Sequence, residues 1–521
     1  MYEINYRLFR IFDFLHGACI LKGGNRFVCD AYRKASRLMA HFPEDVATIY
    51  EYEGREGLRR ALKVGSAVLS KIVQMVEEGR VGEYEEALRE FGRDAVEFVK
   101  VRGIGRTTAR RLVEMGIRTF DDLLRFLESG RAKTIFKNPT RIRENVLFYL
   151  KYRDAFLAPE ARIVVEAFKN VYPSAVPVGG YRRGEPLIAV VEFAISEDDA
   201  FRLAVSGRYE RGYWSWGGDR IPVRIHIYTE EDMGSVLVYS TGPEGHVRAL
   251  ERLGGIRGKT EEEVYDHLGL PFIHPYQRYD GHEVSLAAEG KLPEVLLPEE
   301  VPGDIHVHTT YSDGSMRPEE AVQAAVRRGY SFVVLADHSP SSAGGGLNEA
   351  RLESKKLEIL RLRDRYPYVR ILYGTEVDIL PDGSLDYPDE VLSEFDLVIA
   401  SVHTWGDNED LTGRILKAME NPYVHVIGHP TGRVLKKRPP YRVDLDRVFR
   451  RAEETGKALE INANPRRVDL PGEFLLEGGY EGKVFIGTDA HREWDMDYMY
   501  LGCAQVGKAR VPKDRVGNLD L

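Results

Sequence analysis

Between residues 303 and 491 a series of short apolar runs alternates with helical segments, and nearly every run ends on a histidine or an acid. No other feature restricts the fold as much. DIHVH is followed by PEEAVQAAVRRG, then SFVVLAD, then a helical stretch through EARLESKKLEILRLRDR, and then VRILYGTEVDI, DLVIASVH, YVHVIGH, KALEINA and KVFIGTD. Seven buried strands with intervening helices predict a parallel α/β barrel. In such a barrel the C-terminal ends of the strands form one rim, where barrel enzymes assemble their sites.

The residues at those ends are His306, His308, Asp313, His338, Glu376, His403, His429, Asp489 and His491. In DIHVH the two histidines stand at i and i+2, so both project from one face of the strand. A lone strand histidine is usually a satisfied core residue. Six imidazoles and three carboxylates at successive strand ends predict a metal centre with room for three divalent ions. The nitrogen-rich mixture suits Zn²⁺, Mn²⁺ or Fe²⁺ better than Mg²⁺. His425 shares a strand with His429 but lies outside the pattern, and reads as structural.

Composition bounds the rest. Three or four domains fit 521 residues, at about 100–200 residues each. The chain is 43% hydrophobic and 30% charged, with a net charge of −9, as expected of a folded soluble protein. No run approaches the roughly 18 apolar residues of a membrane span, and MYEINYRLFRIFDF lacks a signal-peptide pattern. Cys19, Cys29 and Cys503, without a CxxC, speak against a disulfide scaffold or a thiolate zinc site. The expected setting is cytoplasmic, and the expected state is a monomer. Only four glutamines stand beside many Arg and Glu, a bias that leans toward a thermophilic source.

Residues 1–150 read as helical, 151–291 as mixed α and β, and the proline- and acid-rich 292–303 as a connecting segment before a barrel at 304–521. Within the helical part, VRGIGRTTARRL (101–112) reads as a helix-hairpin-helix turn. Gly103 and Gly105 permit a tight turn with outward amides, and the next helix starts there with its positive dipole end. Arg106, Arg110 and Arg111 add charge, so the element fits a DNA phosphate without reading sequence. LKVGSAVLSKI (62–72) has the same shape, with Lys63 in place of the first glycine.

GGNRFVCDAYRKASR (23–37), this hairpin, GGYRRG (179–184), YSTGPEGHVRAL (239–250) and TEEEVYDHLGLPFI (260–273) together resemble the bacterial and archaeal family X DNA polymerases, and the last third resembles the PHP phosphoesterase domain those proteins carry. The resemblance implies a helical DNA-binding domain, an α+β palm- and thumb-like middle and a distorted (β/α)7 PHP barrel. It also implies how the ions are grouped. His306, His308, Glu376 and Asp489 would hold one; Glu376 would bridge to a second, with His403 and His429; Asp313, His338 and His491 would hold the third.

The polymerase pattern breaks in the palm. Where the family has Gly-Asp-x-Asp, this chain reads Ala189-Val190-Val191-Glu192, and the third aspartate falls near Arg224, or at His226 two residues on. Three metal-binding carboxylates are needed there, so the palm reads as a scaffold without nucleotidyl transfer. Arg182 and Arg183 read either as a solvated pair or as a residual phosphate site.

The expected activity is a metal-dependent phosphoesterase acting on DNA ends, as a 3′–5′ exonuclease or 3′-phosphatase. Water activated at the metals would attack phosphorus in line. Arg433, with Lys436, is the expected cation for phosphoryl charge; Lys437 and Arg466 are weaker choices, and Asn462 and Asn464 are expected to orient ligands. Alternatives are a small-molecule phosphatase of the histidinol-phosphate type, a still-active repair polymerase and a non-catalytic DNA scaffold.

Overall fold

The computed structural model describes residues 2–216, 219–342, 345–406 and 409–521. The chain divides into two compact units: residues 1–177, 189–227 and 436–438, and residues 178–188, 228–435 and 439–521.

The first unit opens with helices Glu3–Leu21, Arg26–His41, Val46–Leu62, Ser66–Glu78, Gly82–Glu97, Arg106–Glu114, Phe120–Glu128 and Pro139–Tyr152. Their starts are written in the sequence. Asn25, Asp45 and Asn138 accept backbone N–H groups as N-caps, and Thr119 with Asp122 forms a capping box. Phe12, Leu15, Leu69, Ile72, Phe98, Leu112 and Leu123 share one apolar core. Cys19 and Cys29, on the first two helices, form a disulfide with Cα atoms 5.5 Å apart. This corrects the expectation drawn from cysteine count and spacing: no CxxC is needed when a short turn folds one helix back on the other. Strands Val176–Val178, Val191–Ser196, Asp219–Tyr228, Tyr213–Trp216 and Tyr209–Glu210 form a five-stranded sheet in that spatial order.

The second unit contains the barrel. Its strands are Gly303–Val307, Phe332–His338, Arg370–Asp378, Leu397–Ser401, Val426–Ile427, Ala458–Asn462 and Val484–Gly487. They pair in sequence order as one seven-stranded sheet, and every adjacent pairing is parallel. A parallel bridge between Val307 and Ala490 nearly closes the ring; the His308 amide donates to the Ala490 carbonyl at 2.8 Å, and the Ala490 amide to the His306 carbonyl at 3.1 Å. Alternate positions Phe332, Val334 and Ala336, with Leu397 and Ile399, fill the barrel core, while the intervening positions are also buried. That is why the strands read as continuous apolar runs rather than alternating ones.

Helices Met233–Thr241, Glu244–Leu253, Glu261–His267 and His282–Ala288 belong to the same unit. Arg510, just past helix Met499–Lys508, pairs with Glu283 (3.0 Å) and Asp280, which ties this helical part to the end of the barrel. Among the described residues no helix is long and apolar enough to cross a membrane.

Candidate metal centre

All nine predicted ligands come together on the C-terminal rim of the barrel. His306 lies in the first strand and His308 one residue beyond it, His338 ends the second, and Glu376 lies near the end of the third. His403, His429 and Asp489 each stand two residues past a strand end. His429 and Asp489 have left-handed backbones, with φ of 26° and 52°. Such strained positions concentrate at functional sites.

Glu376 is the hub. Its Oε1 faces His429 Nε2 at 2.8 Å and His403 Nε2 at 3.3 Å. Its Oε2 faces His338 Nδ1 at 2.9 Å, His306 Nε2 at 3.4 Å and His308 Nε2 at 3.6 Å. Asp489 Oδ1 lies 3.2 Å from His308 Nε2 and 3.6 Å from His491 Nδ1. Asp313 reaches His491 at 3.2 Å and His338 at 3.5 Å. Three overlapping groups are close enough to share an ion: His308, Asp313, His338 and His491; His306, His308 and Asp489; His338, Glu376 and His403.

Four buried imidazole nitrogens here, His306 Nε2, His308 Nε2, His338 Nδ1 and His403 Nε2, face Glu376 without completing a well-formed hydrogen bond, and His429, whose Nε2 faces Glu376, leaves its buried Nδ1 unbonded. Buried polar atoms are normally satisfied, so this set fits a cation that takes lone pairs. The charge pattern agrees. Burial works to raise the Glu376 carboxyl, but the neighbouring His403, His306 and His338 outweigh it and hold it well below its usual range. Burial and the adjacent His491 and His338 push His308 down to about 4, and burial and Arg467 push His429 to about 3. Against burial, Glu376 and Asp313 lift His338 to about 10, and Asp313 and Asp489 lift His491 to about 9. The bare cluster balances its acids with imidazolium protons, a role that divalent ions can take over.

A supporting layer escaped sequence reading. Glu460 Oε1 is 2.6 Å from His306 Nδ1, and Glu460 Oε2 accepts the His429 amide at 2.6 Å. Asp378 Oδ1 is 3.0 Å from His403 Nδ1. Such carboxylates fix which imidazole nitrogen faces the metal. LEINA and GTEVD carry these acids on strands next to recognised ligands, and that adjacency was the available signal. Asn462 bonds Asp489 Oδ2 at 3.3 Å, as expected of an orienting residue, whereas Asn464 caps the following turn by accepting the Arg466 amide.

The cations are placed differently from expectation. Arg433 donates Nε to the Arg467 carbonyl at 2.8 Å and a further N–H to the Val468 carbonyl. Lys436 belongs to the first unit, where it donates to the Ala155 carbonyl at 2.7 Å. The cation that reaches a ligand is Arg467, whose Nε donates to Asp489 Oδ2 at 3.0 Å. Its neighbour Arg466 was the sequence candidate. His425 is structural: its Nδ1 accepts the Val398 amide at 3.1 Å.

In the first unit residues 101–105 form the turn between the short helical turn Phe98–Lys100 and helix Arg106–Glu114. Gly103 has φ +86°, and a Cβ there would collide with Ile142. Gly105 caps the helix that starts at Arg106. Gly103, Gly105, Arg110 and Arg111 are exposed, while Arg106 pairs with Asp30 at 3.2 Å. The earlier copy repeats this backbone, with Lys63 at φ +50° and Gly65 capping Ser66–Glu78. In the palm-like sheet, Glu192 Oε2 is taken by Arg224 (3.1 Å) and His226 (3.0 Å). In the second unit, Arg182 and Arg183 are not a solvated pair. Arg182 binds Glu261 and Thr241 Oγ1, and Arg183 donates to the Thr241 carbonyl at 2.6 Å.

Residues 304–464 match the PHP domain, and residues 96–133, which include the hairpin, match the fingers domain of DNA polymerase lambda. A DNA polymerase/3′–5′ exonuclease PolX of Bacillus subtilis (strain 168) is 28% identical over 96% of this chain and 94% of its own length. A probable phosphatase of Thermoanaerobacter sp. (strain X514) is 30% identical over 42% of this chain and 90% of its own length. A crystal structure of histidinol phosphate phosphatase from Lactococcus lactis, complexed with zinc, L-histidinol and phosphate, overlaps 40% of this chain and 94% of that one, at 22% identity and a TM-score of 0.33. The chain is thus a PolX-type DNA polymerase/3′–5′ exonuclease homologue with a PHP domain in its C-terminal part.

Proposed function

We propose that this chain is a metal-dependent phosphoesterase that trims or cleans 3′ ends of DNA, on a palm that no longer transfers nucleotides. The observation that carries the reading is the gathering of nine candidate ligand residues with Glu376 at their hub, where four buried imidazole nitrogens face its carboxylate without a well-formed hydrogen bond. Divalent ions there would supply activated water and neutralise phosphoryl oxygens. The chain's own residues do the rest. Glu460 and Asp378 take the Nδ1 sides of His306 and His403 and leave Nε2 facing inward. Arg467 holds the outer oxygen of Asp489 and takes over the charge-steadying part expected of Arg433 and Lys436.

Three features of the first unit support a DNA substrate. The hairpin offers outward amides at the start of helix Arg106–Glu114, Arg110 and Arg111 stand exposed, and the segment matches a polymerase fingers domain. Such a substrate places the chain in the cytoplasm; the Cys19–Cys29 bridge fits there if the source is a thermophile. Of the three palm positions where the family has its metal-binding aspartates, one carries a carboxylate here, Glu192, held by Arg224 and His226, and Val190 offers no ligand atom. Two-metal nucleotidyl transfer has no frame there.

The test is incubation with Mn²⁺ and a 3′-recessed duplex, with and without nucleotides. Shortening without extension is expected. Extension would overturn the reading of the palm, and turnover of histidinol phosphate without action on DNA would favour a small-molecule phosphatase. His308→Ala should abolish hydrolysis; a fully active variant would sink the metal-centre reading.

A further inference from the structure

A lysine occupies a core position of a barrel helix. Helix Glu349–Arg365 lays Leu352, Lys355, Ile359 and Leu362 against the sheet, and Lys355 is 1% exposed. Its ammonium donates to the carbonyls of Leu335 (2.8 Å) and Gly374 (2.9 Å), and to Asp337 Oδ2 at 2.9 Å. Asp337 carries the connection onward. Its Oδ1 accepts the Thr309 amide at 2.7 Å and the Ser312 hydroxyl at 2.7 Å, and its Oδ2 accepts the Thr309 hydroxyl at 2.9 Å. Each tied residue adjoins a candidate ligand. Asp337 precedes His338, Thr309 follows His308, and Ser312 precedes Asp313. Those three ligands, with His491, make one of the three candidate groups.

Stability alone does not account for the pair. A buried ion pair replaced by apolar residues of similar volume is often neutral or stabilising, and the helix register at 355 would accept a methionine. What the pair does supply is a fixed separation between the second strand and the 309–313 turn.

We propose that Lys355 and Asp337 are positioning residues that set the spacing of His308, Asp313 and His338, and so the affinity of the ion those residues share with His491. This rests on the metal-centre reading and assigns the pair to one position within it. The His306 and His403 imidazoles are oriented by Glu460 and Asp378 instead.

The full chain, stripped of metal and titrated with Mn²⁺ in a calorimeter with bound metal counted by elemental analysis, tests this. The wild type is expected to bind one equivalent per candidate group, three in all. Lys355→Met and Asp337→Asn should weaken one equivalent about 10- to 100-fold and the two that share His308 or His338 with it by less. Ser312→Ala removes a single hydroxyl from a half-buried site, and should weaken the same equivalent by less even if the core variants fail to fold. Variants that keep every equivalent at wild-type affinity overturn the positioning role and leave the centre standing. A Ser312→Ala chain that melts normally but loses all equivalents together also overturns it. A wild-type chain that binds no Mn²⁺ overturns both readings.

Discussion

Glu460 and His306 stand 2.6 Å apart, Oε1 to Nδ1, across 154 residues of sequence. The contact turns the other ring nitrogen toward Glu376, 3.4 Å away. The same acid holds the His429 amide with its second oxygen, so one buried carboxylate aligns two candidate ligands.

Glu460→Gln keeps the size of the side chain and removes its charge. Metal affinity should fall about 10- to 100-fold, as for other carboxylates that orient ligating histidines. Calorimetric Mn²⁺ titration checks this, and an unchanged isotherm would show that His306 is oriented by packing alone.

Gly103→Val places a branched side chain at φ +86° and against Ile142. The hairpin should distort, and duplex affinity should fall on the order of tenfold, with a shallower salt dependence. Fluorescence anisotropy at two salt concentrations measures both. Hydrolysis of a small chromogenic phosphate ester should be unaffected.

His274 accepts the Tyr276 amide at 3.2 Å through Nδ1. Burial, with Arg278 and Arg182 close by, holds it down at about 4, against an ordinary value of 6.5. Between those values the unfolded chain binds more protons than the folded one, so stability should drop as pH falls from 6.5 to 4 and level off below. His274→Asn can keep the amide contact without titrating. The two chains should melt alike near neutral pH and separate toward the acid end of that window, with the wild type the lower; parallel curves would exclude His274 as the source.

The Cys19–Cys29 bridge spans 10 residues. On a loop-entropy view a bridge of that span contributes about 2–3 kcal/mol. Reduction, or the Cys19→Ser/Cys29→Ser variant, should therefore lower the melting point of the helical unit. Calorimetry with and without reductant measures the shift, and equal melting points would show that the bridge does not form.

By itself the sequence determined the barrel, its seven strands and the nine candidate ligands at their ends. Those signals are local: a strand side chain's direction follows from its position in the run, and parallel strands put all their C-terminal ends on one rim. The hairpin was legible for the same reason, since Gly103 and Gly105 set its backbone residue by residue. Tertiary structure alone decided the pairings. Glu460 with His306, Arg467 with Asp489 and Lys355 with Asp337 join strands, helices and loops that no periodicity relates. It also moved Lys436 to the Ala155 carbonyl and turned Arg433 to the backbone of its own barrel loops. A charged side chain in a loop can reach in any direction, and which carbonyl or carboxylate it meets depends on how distant segments pack.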